Sequence, residues 1–329
     1  MTQLAVYGES FPLAQTFTIS RGSKTTAEVF VIELNRDGDT GRGESVPYPR
    51  YNETIAAATA AVEALRPQIE TDTLDRATLQ NALLPGAARN ALDCAFWDLE
   101  AKRSGQAAHQ LAGLPAPHPV TTAYTLSLAA PEAMGQTAAV NADRPLLKIK
   151  LGGDGADLDR IEAIRANAPA ATLIVDANEG WSAKQVEPLS AELAQRGVAL
   201  IEQPLPAGQD ALLAEHKHPV PLCADESCHT NSDLEALATR YECVNLKLDK
   251  TGGLTEALLL ATKAQELGLD LMVGCMVATS LAMAPAAALL APQARYVDLD
   301  GPLLLKQDRE HGLHYDGSLM HPPQPDLWG

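Results

Sequence analysis

Eight short apolar runs recur at a nearly constant interval through the last two thirds of the chain, and a polar or reactive side chain ends each one. The end residues, in chain order, are Thr125, Lys150, Asp176, Glu202, Asp225, Lys247, Cys275 and Asp298. They are separated by 25, 26, 26, 23, 22, 28 and 23 residues, which is the length of one strand, one helix and two loops. Continuous apolar runs are typical of parallel strands that are covered on both faces. The repeat therefore predicts an α/β fold, a TIM-type barrel with these side chains gathered at the C-terminal ends of its strands.

The residues before this repeat follow a different pattern. Alternating apolar residues before the Asp37-Gly38 turn predict a β-hairpin, and helical spacing predicts helices at about 54–66 and 87–104. Three prolines between residues 115 and 119 form a stiff boundary. The pattern predicts three parts: a capping domain of mixed α+β structure at 1–115, a barrel that carries the active site at 116–302, and a C-terminal tail at 303–329 that returns to the cap.

The composition argues against several classes of protein. Twenty-five basic and 42 acidic residues give a net charge of −17, which repels nucleic acid and anionic membranes, so we expect neither as a partner. No signal peptide and no apolar stretch of membrane-spanning length is visible. Five cysteines without a paired framework favour a reducing compartment. We therefore expect a cytoplasmic protein.

Three neighbouring strands of the predicted barrel each end in a carboxylate. These are Asp176, Glu202 and Asp225, on strands three, four and five. Three acids that converge without compensation would repel one another, so a hard divalent cation is the natural partner. Ligation by oxygen alone favours Mg²⁺ over Zn²⁺. The sequence therefore predicts a magnesium site at this edge.

Two opposite strands of the predicted barrel carry lysines. Lys148 and Lys150 point to the same face of strand two, and Lys247 ends strand six, whereas Lys250 is expected to extend into solvent. A lysine is a poor base at its ordinary pKa, but burial and a neighbouring cation lower that pKa. A carbon held between Lys150 and Lys247 could lose a proton to one lysine and regain a proton from the other. This arrangement predicts inversion of a stereocentre beside a metal-bound carboxylate.

Strand eight ends in an acidic pair, Asp298 and Asp300, which lies across the barrel from the predicted metal site. Two carboxylates without a metal of their own are suited to bind a substrate ammonium group. The predicted ligand therefore carries a carboxylate at one end, an ammonium at the other, and an invertible carbon near the carboxylate.

Six motifs resemble those of the enolase superfamily, in its muconate-lactonising-like branch: LLKIKL, IVDANEGW, IEQPLP, CADES, NLKLDKTGG and VDLDGP. Members of that superfamily pair a Lys or His base with Mg²⁺. The resemblance implies a (β/α)₇β barrel with a capping domain built from the N-terminal segment and the C-terminal tail. The acidic pair of strand eight is similar to that of dipeptide epimerases. The implied activity is that of an isomerase, L-Ala-D/L-Glu epimerisation through an enediolate, in murein peptide recycling.

The resemblance also implies roles for individual residues. Lys148 would tune the catalytic Lys150. Arg21 matches an arginine of a mobile loop that reaches the glutamate side-chain carboxylate, and Thr125 and Cys275 match strand ends that line the substrate pocket. The implied partner is a small dipeptide, and a homo-oligomer is possible.

Other functions are compatible with the same metal ligands and lysines. N-acylamino acid racemisation and o-succinylbenzoate synthesis use substrates without a free ammonium, so Asp298 and Asp300 argue against both. A barrel that only binds dipeptides would need neither opposed lysine. Ala278 stands where some relatives carry an acid, which concerns the pocket near strand seven.

Overall fold

The structure, a computed structural model, describes all 329 residues and has an eight-stranded parallel barrel at its centre. The barrel strands are β5 (Tyr124–Leu126), β6 (Leu146–Lys150), β7 (Thr172–Asp176), β8 (Val198–Glu202), β9 (Leu222–Ala224), β10 (Cys243–Leu246), β11 (Asp270–Gly274) and β12 (Tyr296–Asp298). Each strand pairs with the next in chain order. The ring is completed where Ala123 N donates a hydrogen bond to Val297 O at 2.7 Å.

Helical segments connect successive barrel strands. The α-helices are α6 (Pro131–Val140), α7 (Asp157–Asn167), α8 (Ala183–Gln195), α9 (Leu234–Leu237), α10 (Leu248–Thr251), α11 (Leu254–Glu266) and α12 (Ser280–Leu289). A 3₁₀ helix, Asp210–Glu215, takes the place of an α-helix between β8 and β9. Because β12 is followed by the 3₁₀ turn Gly301–Leu304, there are seven helical crossovers and eight strands. The predicted (β/α)₇β barrel is confirmed.

An antiparallel sheet and five helices cover the C-terminal ends of the barrel strands. The sheet contains β1 (Gln3–Ile19), β2 (Gly22–Arg36) and β3 (Asp39–Ser45), and the helices are α1 (Ile55–Glu63), α2 (Arg66–Glu70), α3 (Arg76–Ala82), α4 (Ala87–Ser104) and α5 (Ala108–Leu111). Helix α4 packs so closely on β3 that a Cβ at Gly43 would lie 2.0 Å from Ala91 O. Only glycine allows this approach.

The C-terminal tail contacts both the barrel and the cap. Its hairpin, β13 (Tyr315–Asp316) and β14 (Leu319–Met320), pairs with β4 (Val120–Thr121). Further along, Trp328 Nε1 donates a hydrogen bond to Cys94 O of α4 at 3.0 Å. Arg309 Nη2 lies 2.8 Å from Oε2 of the buried Glu44 in β3. Glu44 Oε1 accepts a hydrogen bond from Thr279 N at 2.9 Å. The tail therefore ties the cap to the loop that follows β11.

None of the helices combines the length and the apolar character that a membrane span requires.

Candidate active site

A cavity of about 670 Å³ lies where the cap covers the C-terminal ends of the barrel strands. The residues at or just beyond the ends of the barrel strands form its floor, which is called the barrel mouth below. Its other side, called the cap wall, consists of lining residues within 17–28 and 46–51. The barrel mouth brings together the predicted metal ligands, lysines and acidic pair, and the predicted Arg21 belongs to the cap wall.

Asp176, Glu202 and Asp225 form a compact cluster of buried carboxylates. One oxygen from each lies within 4.8 Å of the others. Asp176 and Glu202 are register partners at the ends of β7 and β8, and Asp225 follows β9 directly. Asn245 of β10 donates a hydrogen bond to Glu202 Oε1 at 2.8 Å, which fixes the orientation of that carboxylate. The parallel register, together with this amide, therefore places three acids on one side of the barrel mouth.

The charge of this cluster depends on burial and on the neighbouring lysines, and its donor atoms decide which ligand it fits. Burial, with the neighbouring charge of Asp176, raises the pKa of Glu202 to about 7. The pKa of Asp225 lies well below its usual range. Burial acts to raise it, but the ammonium groups of Lys247 and Lys250 have a larger and opposite effect. All the donors are oxygens, and hard divalent cations prefer oxygen ligands. The residues present thus fit Mg²⁺ at this position.

Lys150 and Lys247 contact the cluster from opposite sides of the barrel. Lys150 Nζ lies 2.6 Å from Asp176 Oδ2, and Lys247 Nζ lies 2.5 Å from Asp225 Oδ2. Burial lowers the pKa of Lys247, but the attraction of Asp225 and Glu202 is larger and holds this pKa well above its usual value. The carboxylates, not burial, therefore decide the charge of Lys247 in this structure.

Lys148 links the carboxylate cluster to the acidic pair of strand eight. Its ammonium lies 2.6 Å from Glu202 Oε2, 2.8 Å from Asp298 Oδ2 and 3.3 Å from Asp176 Oδ2. Burial opposes its charge, but these three carboxylates raise the pKa of Lys148 well above its usual value. Lys148 is therefore a fixed positive charge between the two acidic groups.

Lys250 is buried, and the expectation that it extends into solvent is wrong. Its ammonium lies 2.6 Å from Asp225 Oδ1 and donates a hydrogen bond to Asn245 O at 2.9 Å. It belongs to α10, whose first turn begins immediately after β10 and directs position 250 back towards the carboxylates. The signal in the sequence is the spacing of three residues from Lys247, which places both lysines on one side of a helical turn.

The acidic pair of strand eight faces the same cavity beside Thr125 and Cys275. Thr125 N donates a hydrogen bond to Asp300 Oδ2 at 2.6 Å, and Thr125 Oγ1 lies 3.4 Å from Asp298 Oδ1. Burial and the adjacent charge of Asp298 raise the pKa of Asp300 to about 7. A substrate cation placed here would relieve the repulsion between the two carboxylates.

Arg21 lies in the turn between β1 and β2 and binds groups of the barrel loops. Its guanidinium lies 2.8 Å from Glu226 Oε1 and 3.2 Å from Glu179 Oε2, and it donates a hydrogen bond to Asn178 O at 2.9 Å. Arg50 of the cap also binds Glu179, through two contacts of 2.8 and 3.0 Å. Sequence reasoning did not identify Glu179, Glu226 or Arg50, because their contacts join loops that are far apart in the chain.

The loop after β11 contributes Met276 and Val277 to the cavity, whereas Ala278 is fully buried and does not line it. The methyl group at position 278 therefore packs behind the pocket wall.

Two family descriptions together match most of the chain. Residues 1–113 match the mandelate racemase/muconate lactonizing enzyme N-terminal domain, and residues 133–325 match the enolase C-terminal domain-like family. Among proteins, the L-Ala-D/L-Glu epimerase of Escherichia coli (strain K12) is 49% identical over 98% of this chain and 100% of that protein. The N-acetyl-D-glutamate racemase of a Pseudoalteromonas species is 50% identical over 88% of this chain and 91% of that protein.

Two solved structures are similar to this fold. An enolase family member from Agrobacterium tumefaciens, with bound sodium and L-Ala-L-Glu, has a TM-score of 0.97 and 52% identity and covers 100% of both chains. A dipeptide epimerase from Enterococcus faecalis V583, in complex with Mg and L-Leu-L-Tyr, has a TM-score of 0.90 and 28% identity, covering 98% of this chain and 97% of that one.

Proposed function

Because this chain belongs to the mandelate racemase/muconate lactonizing enzyme group of the enolase superfamily, we propose that it is a dipeptide epimerase that interconverts L-Ala-L-Glu and L-Ala-D-Glu. The reaction removes the α-proton of the glutamate residue and returns a proton to the opposite face. The observation that carries the proposal is the placement of Lys150 and Lys247 on opposite sides of one carboxylate cluster.

Two bases are needed because inversion requires a proton donor on the face opposite the one that is deprotonated. For one configuration of the substrate, neutral Lys150 accepts the proton while the Lys247 ammonium donates one, and for the other configuration the roles exchange. Strands β6 and β10 are four positions apart in a ring of eight, so the two side chains approach a central carbon from opposite directions.

Asp176, Glu202 and Asp225 are the residues that would hold Mg²⁺. The bound ion would stabilise the negative charge that develops on the substrate carboxylate as the α-proton leaves. Asn245 keeps Glu202 in position through its amide, and Lys148 balances the charge on the side of the cluster that faces strand eight.

Asp298 and Asp300 bind the N-terminal ammonium of the dipeptide in this proposal. Thr125 orients Asp300, and Lys148 orients Asp298, so both carboxylates are fixed before the substrate enters. This contact sets the distance between the ammonium and the reacting carbon. Cys275 and Thr125 line the pocket beside the acidic pair.

The test is to incubate L-Ala-L-Glu and L-Ala-D-Glu separately with the enzyme and Mg²⁺ in D₂O. Proton NMR of the glutamate α-position should show deuterium incorporation together with interconversion of the two dipeptides. A chelator should stop both, and excess Mg²⁺ should restore them. If the purified enzyme with Mg²⁺ shows neither exchange nor interconversion, this function is wrong.

The 50% identity to an N-acetyl-D-glutamate racemase supports a second candidate, racemisation of N-acylamino acids. Such a substrate carries no ammonium group, so Asp298 and Asp300 would have no charged partner in it. The two candidates separate when N-acetyl-L-Glu is supplied in the same experiment. The dipeptide epimerase should show a much higher kcat/KM for L-Ala-L-Glu than for N-acetyl-L-Glu.

The proposed substrate also supports a role in murein peptide recycling, where L-Ala is joined to D-Glu. The five cysteines are all free, which supports a location in the reducing cytoplasm.

A further inference from the structure

Two of the three carboxylates in the cluster are oriented by neutral donors. Asp176 Oδ1 accepts a hydrogen bond from Asn178 N at 2.9 Å, and Glu202 Oε1 accepts one from Asn245 Nδ2 at 2.8 Å. An amide N–H carries no net charge. These two donors therefore fix the carboxylates and leave their negative charge available to a cation.

Asp225 is oriented by an ammonium group instead. Lys250 Nζ donates a hydrogen bond to Asp225 Oδ1 at 2.6 Å, and it also donates to Asp225 O and, at 2.9 Å, to Asn245 O. An ammonium has three N–H donors, so these contacts occupy all of them. Lys250 is fully buried and does not line the cavity. Any effect of Lys250 on a ligand in the cavity must therefore pass through its neighbours, and above all through Asp225.

The turn that carries Lys250 is held in place by the cap. Helix α10 consists of this single turn and ends at Gly252, which has a positive φ of 73°. Arg89 of α4 donates hydrogen bonds to Thr251 O at 2.7 Å and to Gly252 O at 2.9 Å. These bonds satisfy carbonyl groups that the end of a helix leaves free. The position of Lys250 is therefore fixed from the cap side as well as by Asp225.

The contact with Lys250 decides which oxygen of Asp225 is left for a cation. Asp225 Oδ2 lies 2.5 Å from Lys247 Nζ, which is itself 3.9 Å from Glu202 Oε1, so Oδ2 is on the side of the cluster. Oδ1 is occupied by Lys250. The positive charge of Lys250 beside this carboxylate repels a bound cation, but it also stabilises negative charge that develops on a nearby substrate.

We propose that Lys250 is a positioning residue of the metal centre, which presents Asp225 Oδ2 to the divalent cation. Its charge weakens binding of the cation and strengthens stabilisation of the negative charge that forms when the α-proton leaves. The effect on the reaction rests on the proposed function, whereas the effect on the cation does not depend on it.

The experiment titrates the metal-free protein with Mg²⁺ in a calorimeter and compares the wild type with Lys250→Gln. Glutamine keeps an N–H donor for Asp225 and removes the charge. The Kd for Mg²⁺ should fall by about tenfold or more, while kcat for L-Ala-L-Glu at saturating Mg²⁺ should fall by about 10- to 100-fold. A merely structural role would weaken cation binding and activity together. An unchanged or higher Kd in the folded variant would overturn the proposal.

Two further variants separate the charge of Lys250 from its hydrogen bonds. Lys250→Met removes both, so it should bind Mg²⁺ more weakly than Lys250→Gln, and equal affinities would contradict the anchoring of Asp225. Lys250→Arg keeps the charge and should stay within a few-fold of the wild type in both Kd and kcat, on the order of the variation expected without loss of a charge. If Lys250→Arg binds Mg²⁺ as tightly as Lys250→Gln does, the charge is not the cause.

Lys184→Gln, on the exposed surface of α8, is the matched control and should keep the wild-type Kd and kcat. Because Mg²⁺ binding is measured without substrate, the result is independent of the proposed function. A tighter Kd in Lys250→Gln, in a protein whose wild type exchanges no α-proton, would contradict the epimerase function and support the role of Lys250 towards the cation. Exchange in the wild type with an unchanged Kd in Lys250→Gln would contradict the role of Lys250 alone.

Discussion

The barrel mouth and the cap wall are both rich in charge, but they hold their charges in different ways. In the barrel mouth, the ammonium groups of Lys148, Lys150 and Lys247 contact carboxylates at the ends of other barrel strands, and all of these side chains are buried. In the cap wall, Arg21 and Arg50 have side chains that are 28% and 39% exposed, and they pair with barrel loops across a joint between two parts of the fold.

The difference separates the chemistry from the choice of substrate. Strand register fixes the barrel mouth, so its geometry survives changes elsewhere and suits a reaction that needs groups held within fractions of an ångström. The cap wall depends on the turn between β1 and β2, which can vary in sequence without disturbing the barrel. We therefore expect substitutions of Lys150, of Lys247 or of a carboxylate in the cluster to affect every substrate. Substitutions at the edges of the cavity, in the cap wall or at Asp300, should instead change selectivity.

The largest effect is expected for the opposed lysines. Lys150→Met and Lys247→Met keep most of the side-chain volume but remove a proton carrier, so epimerisation should fall by about 10³-fold or more in either variant. The remaining lysine can still exchange the α-proton on its own face. Each variant should therefore incorporate deuterium into only one of L-Ala-L-Glu and L-Ala-D-Glu without inversion, and the two variants should label opposite dipeptides.

Proton NMR in D₂O measures this labelling, and thermal unfolding of each variant shows whether the fold is retained. If a folded Lys150→Met or Lys247→Met variant inverts both dipeptides at near wild-type rates, the two-base mechanism is wrong. The lysines of the barrel mouth would then differ from the arginines of the cap wall in burial, but not in carrying the proton.

An intermediate effect is expected for Asp300, which belongs to the barrel mouth but contacts only the far end of the substrate. Asp300→Asn keeps an oxygen that can accept the hydrogen bond from Thr125 N but loses the negative charge. Its kcat/KM for L-Ala-L-Glu should fall by about 10- to 100-fold, while that for N-acetyl-L-Glu should not fall. Asp316→Asn in the exposed tail hairpin is the control. Equal losses for both substrates would show that Asp300 does not bind the ammonium.

The sequence was sufficient for the barrel mouth because strand spacing and side-chain alternation are local rules. The interval between strand ends placed Asp176, Glu202 and Asp225 on neighbouring strands, where the structure finds their carboxylates together. Alternation placed Lys148 and Lys150 on one face, and both are buried at the barrel mouth.

The sequence was insufficient where position or charge depends on contacts between distant segments. Lys250 was expected to extend into solvent, as an isolated lysine usually does, but the turn of α10 buries it against Asp225. The lowered pKa expected for the lysines of strand two does not hold for Lys148, because its carboxylate neighbours outweigh burial. The partners of Arg21 come from loops more than 150 residues away, and Asn178 and Glu179 adopt positive φ angles of 45° and 65° that no local motif indicates.

The smallest effect is expected at Asp249, which joins the barrel to the cap outside the proposed chemistry. Asp249 Oδ1 accepts hydrogen bonds from Val46 N at 2.8 Å and from Asn90 Nδ2 at 3.2 Å, and burial raises its pKa to about 7. Because this pKa is raised above that of the unfolded chain, the folded state binds the proton more tightly, and stability is lost as the pH rises from about 4 to 7. Asp249→Asn keeps the accepting oxygen and removes this loss.

The free energy of unfolding of Asp249→Asn should therefore exceed that of the wild type at pH 8, by on the order of 2 kcal/mol, and by less at pH 5. Urea unfolding at the two pH values measures the difference, in which the titrating groups that do not interact with Asp249 cancel because both proteins share them. A variant that is less stable than the wild type by the same amount at both pH values would show that the Asp249 carboxylate is bound in its charged form. The joint between cap and barrel would then hold its buried acid in the ionised form, as the barrel mouth holds Asp225, but with amide N–H donors in place of ammonium groups.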